Sequence, residues 1–297
     1  MSSTDTAAVL EKDASDSAEV GAGLDVLDGV AARGAPIARI VRERALPPLI
    51  VVGLVLGLWQ LVFVLGLTDA DKLPGPAMVW HSLDELWCQE TLLPIVWTSV
   101  WRGLSGFLLA VVIGTPIGLV VARVKPVRTA IGPVLQGLQS LPSVAWVPAA
   151  VIWLGPDNVA IYAVILLGSV PSVANGLVAG IDQVPPLFLR AGRTMGATGL
   201  AGVRHVLIPA ALPGYLAGLK QGWAFSWRSL MAAELIASSP ELGLGRYLQS
   251  RREAADMPGV LLGILLILIV GIAIELAFMA PIERHLLRDR GVQDADR

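Results

Sequence analysis

The sequence predicts an all-α membrane protein with six transmembrane helices, and three observations lead there. Hydrophobic residues make up 55% of the chain against 15% charged, with a mean hydropathy of +0.68, well above what a soluble domain carries. Apolar runs near the ~20 residues needed to cross a ~30 Å hydrocarbon core recur along the chain. Lys and Arg gather on alternate connections between those runs.

Residues 1–37 are rich in Ser, Ala, Asp and Glu and lack sustained apolar periodicity. They read as a disordered cytoplasmic tail rather than a secretory signal, which needs a basic start and an early apolar core. The membrane domain covers 46–290, with a short tail at 291–297. Its first run, LPPLIVVGLVLGLWQLVFVLGL at 46–67, follows Arg39, Arg42 and Arg44, so the N-terminus is placed in the cytoplasm. Pro74 and Pro76 turn the chain, and Ala77 to Trp87 can form a short amphipathic helix outside the membrane. A second span at 99–122 ends at Arg123, Lys125 and Arg128. The third, 130–154, is interrupted by Pro142 and Pro148, and GPDN at Gly155 makes a tight outer turn. Further spans fall at 160–181, 212–237 and 259–281. Counted on this topology, 15 Lys and Arg lie inside and four outside, and both termini are cytoplasmic.

Several functions are excluded at this level. A net charge of −2 offers no basic footprint for nucleic acid, and the single cysteine, Cys88, forms neither an intrachain disulfide nor a CxxC metal knuckle. His81, His205 and His285 lie far apart with no HExxH pattern, so no metal site is expected. No GxxxxGK[ST] stretch occurs, so no phosphate-cradling loop is expected on this chain.

One polar island interrupts the apolar pattern. In PPLFLRAGRTMGATGLAGVRHVLIP, at 185–209, Pro185 and Pro186 stop the fourth span and can seed a new helix. Gly196 breaks the rhythm, and Thr198 can cap a second short helix with an apolar face of Leu200, Val203 and Val206, which Pro209 ends. Two short helices joined at a glycine make a compact cytoplasmic knob.

Here the chain resembles the permease subunits of bacterial ABC importers. Their cytoplasmic motif reads EAA, three residues, Gly, nine residues, then I-x-L-P. The spacing is kept, with Ala191, Gly196 and Pro209 in place; Arg190 stands for the glutamate, Gly192 for the second alanine, and Val206 and Ile208 for the aliphatic pair. LPGP after the first span, LPSVAWVP in the third, and AAELI with GLG after the fifth extend the likeness from about Leu46 to Arg290, toward the branch importing sulfonates, taurine and nitrate. The resemblance implies the type I importer permease fold in the bacterial inner membrane, and no enzyme activity on this chain. It implies that 185–209, including Arg190, Ala191, Gly192, Gly196, Ala197, Leu200, Val203, Val206 and Pro209, couples to a separate ATPase subunit. The assembly implied is a permease homodimer with two ATPases, which bind ATP, and one extracytoplasmic binding protein.

The fifth run also carries Lys220, Arg228 and Glu234, at a cost of roughly 2.5–3.5 kcal/mol for each charge at a helix centre. Lys220 and Arg228 lie two turns apart on one face. Either they cap and pair structurally, or Arg228, with Lys220 and Glu234, lines the translocation path and offers a weak stop for an anion. Arg102, Gln136, Gln139 and Ser140 are further polar candidates, each equally suited to helix packing. Trp223 and Trp227 read as packing or interface aromatics. In the outer loop, Gly243 and Gly245 allow a positive-φ turn, and Arg246, Arg251 and Arg252 either meet a binding protein or stay solvated. The reading is a permease for aliphatic sulfonates or a related small anion, with nitrate, taurine, bicarbonate and small heterocycles open. An ion-coupled secondary transporter is the rival, but it predicts an inverted repeat that is not evident.

Overall fold

The computed structural model describes residues 46–69, 71–237, 239 and 241–281, and every element among them is helical. The expected tails and His285 lie outside the described residues. The chain forms two units, residues 1–68 and 69–297. The first contains α1, Leu46–Val64.

The second unit begins with α2, Pro76–Cys88, the expected short helix, started by a proline in its first turn. Then come α3 (Leu92–Arg123), α4 (Lys125–Ser140), a 3₁₀ turn (Ser143–Trp146), α5 (Val147–Leu154) and α6 (Asn158–Asp182). The knob contains α7 (Pro186–Thr194) and α8 (Gly199–Gly202), followed by a π turn (Val203–Leu207). After it run α9 (Ile208–Ile236), α10 (Leu244–Glu253) and α11 (Met257–Ile274).

Four helical stretches are long and apolar enough to cross a membrane, Leu92–Arg123, Asn158–Asp182, Gly199–Ile236 and Met257–Phe278. A fifth crossing arises if Lys125–Ser140 and Ser143–Leu154, bent by 97° to each other, form one broken span. The apolar helix Leu49–Val64 is shorter. At 1.5 Å per residue it reaches roughly 24 Å, less than a ~30 Å core. Length and apolarity thus account for four or five of the six expected crossings.

The third expected span is therefore an elbow. Leu141 is extended (φ −74, ψ 132), as a residue before proline prefers, and Pro142 lacks the N–H that would continue the ladder. Pro148 does not contribute to the break, because it sits in the first turn of α5, where a missing N–H costs nothing. The outer loop also differs from expectation, since it folds into α10. Gly243 there has φ −109 and Gly245 is helical, so neither uses a positive φ.

Helices α3, α6 and α9 form the core, with α6 packed along both of the others. Lipid tails are as apolar as leucine, so such helices associate through close fit rather than hydrophobic burial. Each carries small residues every fourth position: Gly106, Ala110, Gly114 and Gly118; Gly168, Ser172, Gly176 and Gly180; Gly214, Gly218, Gly222 and Ser226. The stripes of α6 and α9 meet at Gly176 with Gly218 and at Gly180 with Gly214, while the stripe of α3 packs on Ile165, Val170 and Ala174 of α6. A Cβ on Gly118 would lie 2.7 Å from the Ala174 carbonyl oxygen, and one on Gly214 would lie 2.6 Å from Gly180 Cα. At Gly176 and Gly218 the two backbones are closer still, each glycine's Cα occupying the space of the other's missing Cβ. Trp223 and Trp227 are buried beside this seam, with Phe107 edge-on to Trp223 at 5.7 Å between centroids.

One end of the core is tied by a buried polar cluster. Arg102 of α3 donates to Glu234 of α9 at 3.0 Å, to Asn158 of α6 at 2.6 Å, to Ser239 at 2.9 Å and to Glu241 at 2.9 Å. Glu234, only 1% exposed, also accepts from Ser99 Oγ at 2.7 Å and from the Gly245 N–H at 3.0 Å. Ser99 Oγ in turn accepts the Leu244 N–H at 2.8 Å. Gly245 has no side chain because one would lie 2.6 Å from Glu234 Cβ.

Two stability predictions follow from the seam and the cluster. Gly218→Val forces α6 and α9 apart and should destabilise the purified protein by about 3 kcal/mol or more in a thermal unfolding assay. Gly137→Ala, with nothing within 4 Å of its Cβ, should change little. Arg102→Ala strands Glu234 in the core and should cost about 3–5 kcal/mol, whereas Arg102→Met combined with Glu234→Leu should recover most of it. Equal losses in the single and double variants would contradict the pairing.

Candidate functional site: the knob and the exposed face of α9

The knob is built from its turn outward. Helix α7 ends where Gly196 adopts φ +82, and the Gly196 and Ala197 N–H groups return to the Arg193 and Gly192 carbonyls at 3.1 and 2.9 Å. This paired closure satisfies the last carbonyls of the helix, and a Cβ at that φ would be strained. Thr198 has the extended backbone of a cap, but its side chain makes no capping hydrogen bond. Gly192 is buried, and a Cβ on it would lie 2.8 Å from Val206 Cγ2. The position where the importer motif places its second alanine is thus filled here by the Val206 side chain.

The second half of the knob differs from the expected free-standing helix. Pro209 does not end it; the helix passes through the π turn and continues, so that Gly199–Ile236 forms one stretch of 38 residues. A π turn bonds at i→i+5, and Pro209 in the first turn of α9 falls where the ordinary ladder has already shifted register. Beneath it, Leu207 packs with Val184 and Ala211, flanked by Ile181, Leu189 and Val203. The knob is anchored to the ends of α6 and α9 by this small core.

Its outer surface carries large apolar side chains among its charges. Leu200, expected on the inward face with Val203 and Val206, is 88% exposed, while those two valines are half-buried. Met195 is 86% exposed, and Leu187 and Phe188 are exposed as well. Arg190 and Ala191 are exposed, Ala197 half-buried and Pro209 half-buried. Between the knob and the end of α3 lies a cleft of about 360 Å³, lined in part by Arg123, Arg193 and Ala197. The sequence reading missed Leu187, Phe188 and Met195. Their signal is large apolar side chains lying off the inward stripe of a short helix.

The charges of α9 separate. Arg228 is exposed; its Nε donates to the Ala224 carbonyl at 3.0 Å, and its guanidinium sits 4.7 Å from the Phe225 ring centroid. Gln221, seven residues earlier and so on the same face, is also exposed. Lys220 lies 3.8 Å from Glu275 on the π turn Glu275–Met279 that follows α11. Glu234, expected beside the path, is instead locked in the buried cluster with Arg102. Gln139 links α4 to α6, accepting from Asn175 at 2.9 Å and donating to Ser172 at 3.4 Å. Ser140 donates to its own helix at Gly137, and Gln136 is exposed.

In the segment between α9 and α11, Arg251 is committed internally, 3.2 Å from Asp256 and stacked on Tyr247. Burial pushes the Tyr247 phenol above its ordinary range, and the Arg251 charge pulls it back. Arg246 and Arg252 form no side-chain ion pair among the described residues.

The chain is similar in sequence to known transport permeases. TauC of Escherichia coli, a taurine transport system permease protein, is 31% identical over 236 residues, covering 78% of this chain and 85% of that protein. SsuC of Bacillus subtilis, named for aliphatic sulfonates transport, is 29% identical over 242 residues, covering 82% and 87%. CmpB of Synechococcus elongatus, a bicarbonate transport system permease protein, is 25% identical, covering 78% and 86%. Among solved structures, the MetNI methionine ABC transporter in inward-facing conformations matches with a TM-score of 0.56 at 22% identity, covering 66% of this chain and 95% of that one, which shows the shared fold. The family profile of binding-protein-dependent transport system inner membrane components matches residues 114–287, more than half of the chain, and the chain belongs to that family.

Proposed function

We propose that this chain is the permease subunit of an ATP-driven importer for a small organic anion, with the knob as its point of attachment to a separate ATPase. The observation that carries this reading is the continuity of the knob with α9. A surface of Leu187, Phe188, Met195 and Leu200 sits on the end of a 38-residue helical stretch, so a displacement applied there is passed along a stiff element instead of being absorbed in a loop. Exposed apolar side chains of this kind need a partner, and the inward-packed Gly192 and Val206 hold them in one shape.

In this reading α1 completes six crossings with both termini in the cytoplasm, as the charge asymmetry suggests. ATP binds to the ATPase subunits and not to this chain, which has no phosphate cradle. Two ATPases and a second permease copy complete the assembly, and an extracytoplasmic binding protein delivers the substrate. Arg228 supports an anionic cargo. A guanidinium at a helix centre costs roughly 2.5–3.5 kcal/mol in lipid, and Arg228 has no carboxylate partner among the described residues, so the exposed face carrying Arg228 and Gln221 turns to a water-filled path or to the second copy. Aliphatic sulfonates are the cargo proposed, on the likeness to SsuC, with taurine and bicarbonate, for which other relatives are named, and nitrate as neighbouring chemistries.

Two measurements test the proposal. Leu200→Glu together with Met195→Glu alters exposed side chains, so folding should persist while affinity for the cognate ATPase falls about tenfold or more, the effect of losing a contact worth ~1.4 kcal/mol. Unchanged ATPase binding would reject the knob as the docking point. Arg228→Gln should slow anion uptake in proteoliposomes about tenfold with assembly intact. Normal uptake would remove Arg228 from the path, and gradient-driven uptake without ATP would favour a secondary transporter.

A further inference from the structure

At the end of α9 remote from the knob, roughly 40 Å along the helix at 1.5 Å per residue, a second cavity opens against the elbow of the broken span. Its volume is about 350 Å³, at the low end of the ~300–1,000 Å³ typical of small-molecule sites. One wall is aliphatic, formed by Val144 of the 3₁₀ turn with Leu235 and Ile236 of α9. The other is the face of α10 that presents Arg246 and Arg252. The only carboxylate lining this cavity, Glu253, is engaged by Gln249 Nε2 at 2.9 Å. Neither arginine has a carboxylate within ion-pair distance among the described residues, whereas Arg251 between them is held by Asp256 and turned onto Tyr247.

We infer that this cavity is a receiving site for a short-chain organic monoanion, its anionic group on Arg246 and Arg252 and its alkyl tail on Val144, Leu235 and Ile236. The inference rests on the importer reading above, which turns this end of the bundle outward. Two guanidiniums against one carboxylate leave a single net positive charge, matched to a monoanion rather than a dianion. A guanidinium presents forked donors that bind sulfonate or carboxylate oxygens in pairs, and it stays protonated at all physiological pH values. The aliphatic wall adds a preference that charge alone would not. A zwitterion carrying an ammonium group at the far end of its tail places that charge against Val144 and Leu235, so an alkanesulfonate should bind more tightly than taurine. A cavity walled by the elbow also puts the bound anion beside the broken third span, at the end of α9 remote from the knob.

The test uses the full chain in lipid nanodiscs, with isothermal titration of methane-, ethane-, propane- and butanesulfonate, taurine and inorganic sulfate. The expected result is saturable binding of one butanesulfonate per chain, tightening roughly two- to fourfold with each methylene. Taurine and sulfate should bind more weakly. Arg252→Gln alone, at an exposed position, and Arg246→Gln with Arg252→Gln should weaken butanesulfonate binding about tenfold or more, while Lys72→Gln leaves it unchanged. Absence of saturable binding, no dependence on chain length, or undiminished affinity in the double variant would each overturn the inference. Undiminished affinity together with lost stimulation by the binding protein would assign the two arginines to protein docking. ATPase stimulation through the knob, measured on the same preparation, separates the outcomes. If it persists without anion binding, only this inference fails; if it is lost in the unmodified chain, the importer reading fails.

Discussion

The contact on which the rest of the structure depends is the backbone approach of α6 and α9 at Gly176 and Gly218. In water, burying leucines would hold two such helices together; within lipid that gain vanishes, and contact distance becomes the lever. The small residues at four-residue intervals on α3, α6 and α9 bring three backbones close enough for dispersion to add up over the length of the helices. The large side chains on those helices then point outward or fill the remaining space, as Trp223, Trp227 and Phe107 do.

The two ends of the core are secured by different physics. At the knob end a small apolar cluster around Leu207 suffices, because the chain continues into α9 without a break. At the other end the chain leaves α9, and a buried charge network joins α3, α6, α9 and the segment leading to α10 through Arg102 and Glu234. A buried ion pair contributes little net stability compared with a well-packed apolar substitute, but it tolerates no substitution of one partner alone. It therefore specifies which ends meet. Under the proposed importer function, that arrangement suits a knob that moves relative to the opposite end of the core, since a specified joint at one end lets motion at the other be transmitted by α9.

Much of this was legible in the residues. Apolar length located α3, α6, α9 and α11, and the motif spacing from Arg190 to Pro209 marked the knob before any contact was known. Less was legible where a residue's role depends on what faces it. Glu234 looked like a path residue because its neighbours along α9 are apolar; Arg102, Ser99 and the Gly245 N–H that capture it come from 132, 135 and 11 positions away. Gly243 and Gly245 looked like turn glycines, yet their lack of a side chain makes room for Glu234. Leu200 is 88% exposed although it belongs to the apolar rhythm of its segment, because periodicity does not say which apolar side chains a neighbour covers.

By itself the sequence determined the membrane class, the helical segments, the knob and the family, because hydrophobic length, proline and glycine placement and motif spacing are local properties of a chain. Only the tertiary structure decided that the third span bends by 97°, that Glu234 is buried against Arg102, that the knob is continuous with α9, and that Arg246 and Arg252 share a cavity with Val144. Those outcomes depend on distances between residues remote in sequence, and such distances are set by how closely three helices can approach.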